Sequence, residues 1–284
     1  MRSLANKRIL GYLSWRRRRR KVHRREVLDA VVADIRAFAP DHVAITGDLT
    51  HVGLPRECNV ALQWLRDFGR GDWVSVVPGN HDRYVADHFD YTVGRWREYF
   101  RGDSGGTKFP FFRRRGRVAL IGVDTAVPTG PFLATGRVGA AQRERLAGAL
   151  THAGVAGLFR IVLIHHSPLP DGHSRRKRLS DAVELTDLLR TAGAELVIHG
   201  HGHEARVDRL TGPDGPMLVV AVPSASNRAM GLAGWNRYRI SGAPGHWQLD
   251  VETRRTAPGG FATTALETLT WGEPVSPAGA PTSG

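Results

Sequence analysis

The stretch that decides the fold is WVSVVPGNHD, which occupies residues 73–82. Its first part, 73–77, is apolar and rich in valine, which is typical of a buried β-strand. Gly79-Asn80-His81-Asp82 follows directly, and a glycine there lets the backbone approach a ligand closely. A strand that ends in an amide, an imidazole and a carboxylate indicates a polar site at the edge of a sheet.

Three other stretches repeat this arrangement of an apolar run followed by metal-binding side chains. Gly47-Asp48 follows the run at 43–46, His165-His166 follows 161–164, and Gly200-His201-Gly202-His203 follows 195–198. Strands that alternate with helices are expected to end at one edge of a sheet, so the four clusters are expected to converge. On an extended strand end, residues i and i+2 lie on one face, which favours joint use of His201 and His203.

The hydrophobic periodicity predicts a layered α/β domain. Helices are predicted at 24–38, 55–68, 88–101, 139–152 and 180–191. Strands are predicted at 43–47, 73–77, 118–123, 160–164, 195–199 and 217–222, with a hairpin formed by 236–241 and 246–252. These divide the chain into a basic N-terminal arm with a short helix (1–23), a main domain (24–256) and an irregular, partly disordered tail (257–284).

The side chains at these strand ends suit the hydrolysis of a phosphate ester. That reaction brings a charged nucleophile to an anion, and two metal ions about 3.5–4 Å apart solve the problem by neutralising charge and activating water. Carboxylate, amide and imidazole donors are offered by Asp48, Asn80, His165, His201 and His203. This donor set favours Mn, Fe or Zn over Ca.

In this order, the four clusters resemble the calcineurin-like metallophosphoesterase superfamily, and most closely its bacterial cyclic-nucleotide-phosphodiesterase-type branch. The resemblance covers roughly residues 24–252. It implies an αββα sandwich of two mixed β-sheets flanked by helices, and a site that holds two divalent or trivalent metal ions. It implies that Asp48 bridges both ions, that Asn80, His165 and His201 bind the second ion, and that His203 binds the first.

The resemblance also implies the chemistry. His81 would contact the phosphate and assist the leaving group, with Asp82 supporting it, while a hydroxide bridging the two metals attacks phosphorus in line. The expected activity is therefore that of a metal-dependent phosphohydrolase, most specifically a phosphodiesterase. A phosphomonoesterase or a nuclease remains an alternative enzyme of the same chemistry.

One block of the superfamily pattern, Asp-x-His at the end of the first strand, has no match. The first aspartate is Asp29, and the only early histidine is His23, inside a basic segment. The first central strand is therefore expected to be missing, and the first metal would keep only Asp48 and His203. An upstream in-frame segment is expected to encode the strand and Asp-x-His. The alternative is a degenerate, inactive protein that binds phosphate or nucleic acid.

Charge and composition limit the remaining possibilities. Residues 1–25 hold 11 of the 40 basic residues and none of the 27 acidic ones, so the net charge of +13 belongs mostly to this arm. Residues 2–25 are candidates for contact with nucleic acid or an anionic membrane surface, although a solvated arm is the simpler interpretation. A single cysteine, Cys58, and the lack of a long apolar run favour the cytoplasm, with a peripheral membrane contact left open.

Overall fold

The computed structural model describes residues 7–9, 11, 20–86 and 88–272. Four α-helices of eleven or more residues are seen there: α1 (Arg25–Ala37), α2 (Pro55–Phe68), α3 (Ala140–Val155) and α4 (Ala182–Ala192). The strands are β1 (Val43–Ile45), β2 (Val74–Val76), β3 (Phe111–Arg115), β4 (Val118–Gly122), β5 (Phe159–Leu163), β6 (Leu196–His199), β7 (Arg206–Gly212), β8 (Gly215–Ala221), β9 (Gly234–Ala243), β10 (His246–Ala257) and β11 (Gly260–Thr270).

The strands form three hydrogen-bonded groups. A six-stranded mixed sheet has the order β3-β4-β5-β6-β8-β7, in which β4, β5, β6 and β8 are parallel and the two outer strands are antiparallel. A parallel pair, β1-β2, and an antiparallel triplet, β11-β10-β9, make up the remainder. Helices join β1 to β2, β4 to β5 and β5 to β6, whereas β6 is joined to β8 through the outer strand β7.

Successive residues of the central strands pack into two different hydrophobic cores, because side chains alternate between the two faces of a strand. In β5, Ile161 and Leu163 belong to the core shared with β2, α2 and β10. Val162 and the following Ile164 belong to the core under α3 and α4. The six-stranded sheet is therefore covered on both faces, and the αββα arrangement predicted from the sequence is confirmed.

Several predicted elements need correction. Residues 88–101 form two 3₁₀ segments, Phe89–Tyr91 and Val93–Tyr99, because the aromatic side chains there pack inward instead of following one helical face. The sequence reading missed β3 and β7, which are arginine-containing outer strands. The prediction of an irregular tail from residue 257 is wrong for β11, which pairs with β10; residues 273–284 lie outside the described part.

The predicted helix at 4–15 lies mostly outside the described residues. Of the residues that are described, Lys7 donates from Nζ to Thr129 Oγ1 at 2.7 Å, and Arg8 donates to the carbonyls of Val52 (2.9 Å) and Gly53 (2.7 Å). These two cations of the arm therefore fasten it to loops of the main domain. Among the described helices, none is both long enough and apolar enough to cross a membrane.

A cavity of about 640 Å³ is lined by residues of β1 and β9 and extends to the polar strand ends, since Asp48, His81, His165, His201 and His203 also line it. It is lined mainly by apolar residues: Leu28, Val31, Val32 and Ile35 of α1, Val43, Ala44 and Ile45 of β1, Ala61, Trp64 and Phe68 of α2, and Trp235 of β9. Protein interiors ordinarily contain few voids larger than a water molecule.

Candidate active site

The loops after β1 and β2 are locked together by one buried carboxylate. Asp82 accepts hydrogen bonds from the backbone N–H groups of Asp48 (2.8 Å), Thr50 (2.9 Å) and Gly79 (2.8 Å), and from the Thr50 hydroxyl (3.1 Å). Burial and the neighbouring charge of Asp48 raise the pKa of Asp82 to about 7, although the hydrogen bonds from these donors act to lower the pKa. Its partners are therefore three backbone N–H groups and one hydroxyl, all of which lie in the two loops.

We expect Asp82→Ala to lower the free energy of unfolding by about 3 kcal/mol or more, because it strands several buried donors that each cost about 1–3 kcal/mol when unpaired. Urea denaturation followed by circular dichroism measures the change. Asp187→Ala is the matched control, since its side chain is exposed (67%) and only distantly paired. Equal stability of the two variants would contradict the locking role.

His165 is oriented by the backbone toward the other candidate ligands. Its Nδ1 donates to the carbonyl of Thr46 at 2.6 Å, which places the proton on Nδ1 and directs the lone pair of Nε2 to the opposite side. There Nε2 lies 3.2 Å from Asn80 Oδ1 and 3.5 Å from Asp48 Oδ2. An imidazole nitrogen, an amide oxygen and a carboxylate oxygen thus converge, as the sequence predicted.

Gly79 is required by this convergence. A Cβ at residue 79 would lie 2.7 Å from the Cε1 atom of His165 and would overlap the carboxylate of Asp48. The glycine before Asn80 therefore leaves room for the ligands to approach one another. Asp48 itself has φ = +61°, in the left-handed region that aspartate and asparagine tolerate better than most residues.

In the Gly200-His201-Gly202-His203 loop, His201 lies within the cluster of candidate ligands, whereas His203 lies at its solvent-exposed side. The His201 ring lies 5.1 Å from the His165 ring, whereas His203 is exposed and its ring lies 5.8 Å from that of His23. Both residues adopt positive φ, +65° and +59°. Non-glycine residues held in this region cost about 1–3 kcal/mol each and concentrate at functional sites.

His166 also lies in the cluster, but the protein uses both of its ring nitrogens. Nε2 donates to the carbonyl of Ala134 at 3.2 Å, so Nδ1 accepts from the hydroxyl of Thr125 at 2.7 Å. Its ligand atoms and those of His165 and His201 lie within 4.8 Å of one another, yet its lone pair is already engaged. His166 therefore orders the cluster and is not itself a good ligand, which fits the strand alternation.

His81 stands beside this group in a defined tautomer. Its Nδ1 donates to the carbonyl of His51 at 2.6 Å, and its backbone N–H donates to Asp48 Oδ1 at 2.9 Å. Its ring stacks on Tyr84 at 5.7 Å between centroids, and Lys7 Nζ lies 4.4 Å from the centroid of the Tyr84 ring. The arm, Tyr84 and His81 thus form one continuous stack at the edge of the site.

Sequence reasoning left three neighbours of the site unassigned. Asp124, at the end of β4, pairs with Arg83 at 3.0 Å; burial raises the pKa of Asp124 although Arg83 opposes the shift. The His173 ring lies 5.1 Å from that of His201. His23 lines the cavity beside His203. Asp124 ends an apolar strand, which is a signal that could have been used, whereas His173 and His23 carry no comparable sequence signal.

The electrostatics of the cluster favour an anionic Asp48 and a neutral His201. Burial alone would raise the pKa of Asp48, but His165, His81 and a backbone hydrogen bond hold it well below its usual range. Burial, followed by the charges of His165 and His166, holds the pKa of His201 far below its ordinary value. Neutral imidazole and ionised carboxylate are the forms that coordinate metal.

These residues fit a divalent metal ion. The Nε2 atom of His201 is buried and has no hydrogen-bond partner among the described residues, which is costly for a polar atom unless something binds it. Asp48, Asn80 and His165 present oxygen and nitrogen donors beside it. The described residues thus provide four candidate donors for one ion, while His203 with Asp48 gives a less complete set for another.

Comparison with known proteins agrees with this fold and site. Residues 22–205 match the family described as calcineurin-like phosphoesterase, and this match covers more than half of the chain. The chain belongs to this family of phosphoester hydrolases, whose members act with divalent metal ions. No curated protein sequence matches the chain.

Among solved structures, a dimetal phosphatase from Danio rerio is similar with a TM-score of 0.58 and 13% identity, over 87% of this chain and 88% of the other. The sulfate thiohydrolase SoxB from Thermus thermophilus, in complex with glycerol, gives a TM-score of 0.47 and 17% identity over 87% and 42% of the two chains. At these identities the likeness to the first protein is evidence for the fold.

Proposed function

We propose that this protein is a phosphodiesterase whose metal centre is held by Asp48, Asn80, His165 and His201, with His203 at a second position. The observation that carries the proposal is that Asn80 Oδ1 and Asp48 Oδ2 lie 3.2 Å and 3.5 Å from His165 Nε2, beside the Nε2 of His201, which is unpaired among the described residues. The donor set suits Mn, Fe or Zn, and the expected number of ions is two. When bound, the metal ions supply charge neutralisation and an activated water.

The chain's own groups orient the substrate and move the leaving-group proton. Because Nδ1–H of His81 is held by the carbonyl of His51, a cationic His81 carries its second proton on Nε2. We assign to that Nε2–H the transfer of a proton to the departing alkoxide oxygen, after which the ring is neutral and keeps the Nδ1 proton. Asp82 supports this step indirectly, by fixing the loop that carries His81.

One ion pair beside the site is a reason to place a singly charged diester before a doubly charged monoester. Arg83, which directly follows the Gly79-Asn80-His81-Asp82 loop, is compensated by Asp124 at 3.0 Å. Lys7, near His81 through Tyr84, donates to Thr129 Oγ1 and the carbonyl of Leu133. Lys7 keeps its charge because these partners are neutral, whereas the charge of Arg83 is compensated by Asp124, which leaves less charge at this loop for a phosphate dianion.

Metal loading combined with two aryl phosphates tests the proposal. The protein is loaded separately with Mn, Fe or Zn, its metal content is measured by mass spectrometry, and turnover is followed with bis(4-nitrophenyl) phosphate and 4-nitrophenyl phosphate. We expect kcat/KM for the diester to exceed that for the monoester by at least about tenfold, a difference of roughly 1.4 kcal/mol in transition-state stabilisation. Preference for the monoester would identify a phosphomonoesterase. Metal-loaded protein that binds phosphate without turnover would identify a binding protein.

A further inference from the structure

An exposed apolar turn stands on the surface beside the candidate active site. Phe132 is 78% exposed and Leu133 is 41% exposed, and residues 127–136 include no charged side chain. We call residues 129–133 the apolar tip. The tip is closed by a hydrogen bond of its own, because Thr129 Oγ1 donates to the carbonyl of Leu133 at 2.7 Å. It therefore holds two large apolar side chains in contact with water in a defined conformation.

Phe132 is also held in a costly backbone conformation. Its φ is +63°, in the left-handed region that bulky residues rarely adopt. Strain of this kind concentrates at functional sites. Burial of an aromatic ring in the core would be the usual structural return for such a residue, but the ring of Phe132 is exposed. Packing within the described part of the chain therefore does not account for a phenylalanine at this position.

A run of cations lies next to the apolar tip, in residues 174–178, which we call the basic segment. Its exposed cations are Arg175, Arg176, Lys177 and Arg178. None of the four side chains has an acidic partner or a hydrogen bond with another described residue. The backbone N–H groups of Ala134 and Gly136 donate to the carbonyls of Arg176 (2.8 Å) and Arg178 (3.2 Å). These main-chain bonds hold the basic segment against the chain that follows the apolar tip.

Both segments are anchored beside the histidines of the candidate site. The carbonyl of Ala134, directly after the apolar tip, accepts from His166 Nε2 at 3.2 Å. The ring of His173, directly before the basic segment, lies 5.1 Å from the ring of His201. Leu179, directly after the basic segment, is buried in the core under α3 and α4. A surface that bound these two segments would therefore lie next to the candidate active site.

We propose that the apolar tip and the basic segment dock the protein on the surface of an anionic lipid bilayer. Phe132 and Leu133 enter the interfacial region of the bilayer, and the four cations of the basic segment contact lipid phosphates. An aromatic and an aliphatic side chain beside several cations are the combination that binds such an interface. A single-stranded nucleic acid pairs cations with aromatic stacking platforms, and an exposed leucine adds nothing to stacking. The apolar pair therefore favours lipid over nucleic acid.

The first test is sedimentation of the 284-residue protein with vesicles. One set of vesicles contains phosphatidylcholine alone, and the other contains phosphatidylcholine mixed with phosphatidylglycerol. We expect binding to the mixed vesicles to be at least about 100-fold tighter, because each cation near an anionic surface contributes roughly fivefold. Equal binding to the two sets, or binding to neither, would overturn the proposal. Since residues 1–25 also carry a strong positive charge, two variants locate the binding surface.

Phe132→Asn is expected to weaken binding to the mixed vesicles by at least about tenfold, because it removes the largest apolar side chain of the tip. Its melting temperature should be unchanged or higher, since asparagine tolerates the positive φ of residue 132. Val155→Asn is the matched control, because it removes an apolar side chain that is 87% exposed on α3. Binding by Phe132→Asn that equals binding by the control would contradict the role of the tip.

The double variant Arg175→Gln/Arg176→Gln is expected to weaken the same binding by about 25-fold, at roughly fivefold for each cation. Glutamine keeps the main-chain bond from Ala134 to residue 176, so the loop should keep its conformation. Arg66→Gln/Arg190→Gln is the matched control, because it removes the same charge from exposed positions on α2 and α4. Equal losses in the two double variants would mean that net charge, and not the basic segment, binds the vesicles.

Nucleic acid is the competing occupant of this surface. A single-stranded oligonucleotide is titrated into the same four variants under the same conditions. If Arg175→Gln/Arg176→Gln weakens oligonucleotide binding while the unsubstituted protein ignores anionic vesicles, the surface binds nucleic acid and the membrane proposal is wrong. None of these readouts depends on turnover or on bound metal, so they stand apart from the proposed function.

Discussion

Asp48→Asn is expected to reduce turnover by at least about 1,000-fold and to lower the metal content of the protein. Asp48 is the carboxylate that approaches His165 Nε2 at 3.5 Å, and metal ions supply several kcal/mol of transition-state stabilisation in reactions of this class. Asparagine keeps the shape of the side chain and removes only its charge. It also tolerates the positive φ of residue 48, which alanine would not.

The measurement is steady-state kinetics with bis(4-nitrophenyl) phosphate, accompanied by metal analysis of the same sample. Asp187→Asn is the control, because it removes the same charge from an exposed helical position. The amide oxygen of the new side chain can still accept from the backbone N–H of His81, so the variant should keep its fold and its circular dichroism spectrum. Turnover that survives with full metal content would remove Asp48 from the proposed centre.

The sequence predicted the central part of this fold because its signals were local. Phe159–Leu163 is buried along its whole length and gives a mostly apolar run, whereas Arg25–Ala37 buries one face and gives a helical period. Both elements lie within a residue or two of the predicted bounds. β3 and β7 were missed because arginines interrupt their apolar pattern; Arg113 of β3 is in fact buried, where its guanidinium donates to the carbonyl of Val74, a partner that only the fold supplies. β11 was missed because most of its residues are exposed, so its stability comes from pairing with β10 and not from an apolar face.

The residues of the site likewise fall into a group that the sequence revealed and a group that it did not. Asp48, Asn80, His165 and His201 could be found because each follows an apolar strand, and the ends of parallel strands meet. The partner groups could not be found, because they are main-chain carbonyls: Thr46 O orients His165 and His51 O orients His81. The contacts of Asp82 with backbone amides could not be found for a similar reason, since they become visible only in three dimensions.

His81→Ala is expected to lower kcat by about 10²- to 10⁴-fold for a diester with an alkyl leaving group while metal remains bound. The imidazole is held by His51 O on one side and stacks on Tyr84, so its loss removes the proton donor without removing a group that converges on His165 Nε2. An alkoxide needs that proton far more than a nitrophenolate does. The effect should therefore shrink by at least about tenfold with bis(4-nitrophenyl) phosphate.

The dependence on the leaving group separates proton transfer from a structural effect. A variant that merely loosened the loop would slow both substrates equally, and it would also shift KM and the urea midpoint. His88→Ala is the matched control, because it removes an exposed imidazole from the neighbouring segment. Loss of metal from His81→Ala would instead make His81 a ligand. Equal losses of kcat with both leaving groups would place the contribution of His81 in binding the phosphate. The reason is that an interaction with the phosphoryl oxygens does not depend on the acidity of the leaving group.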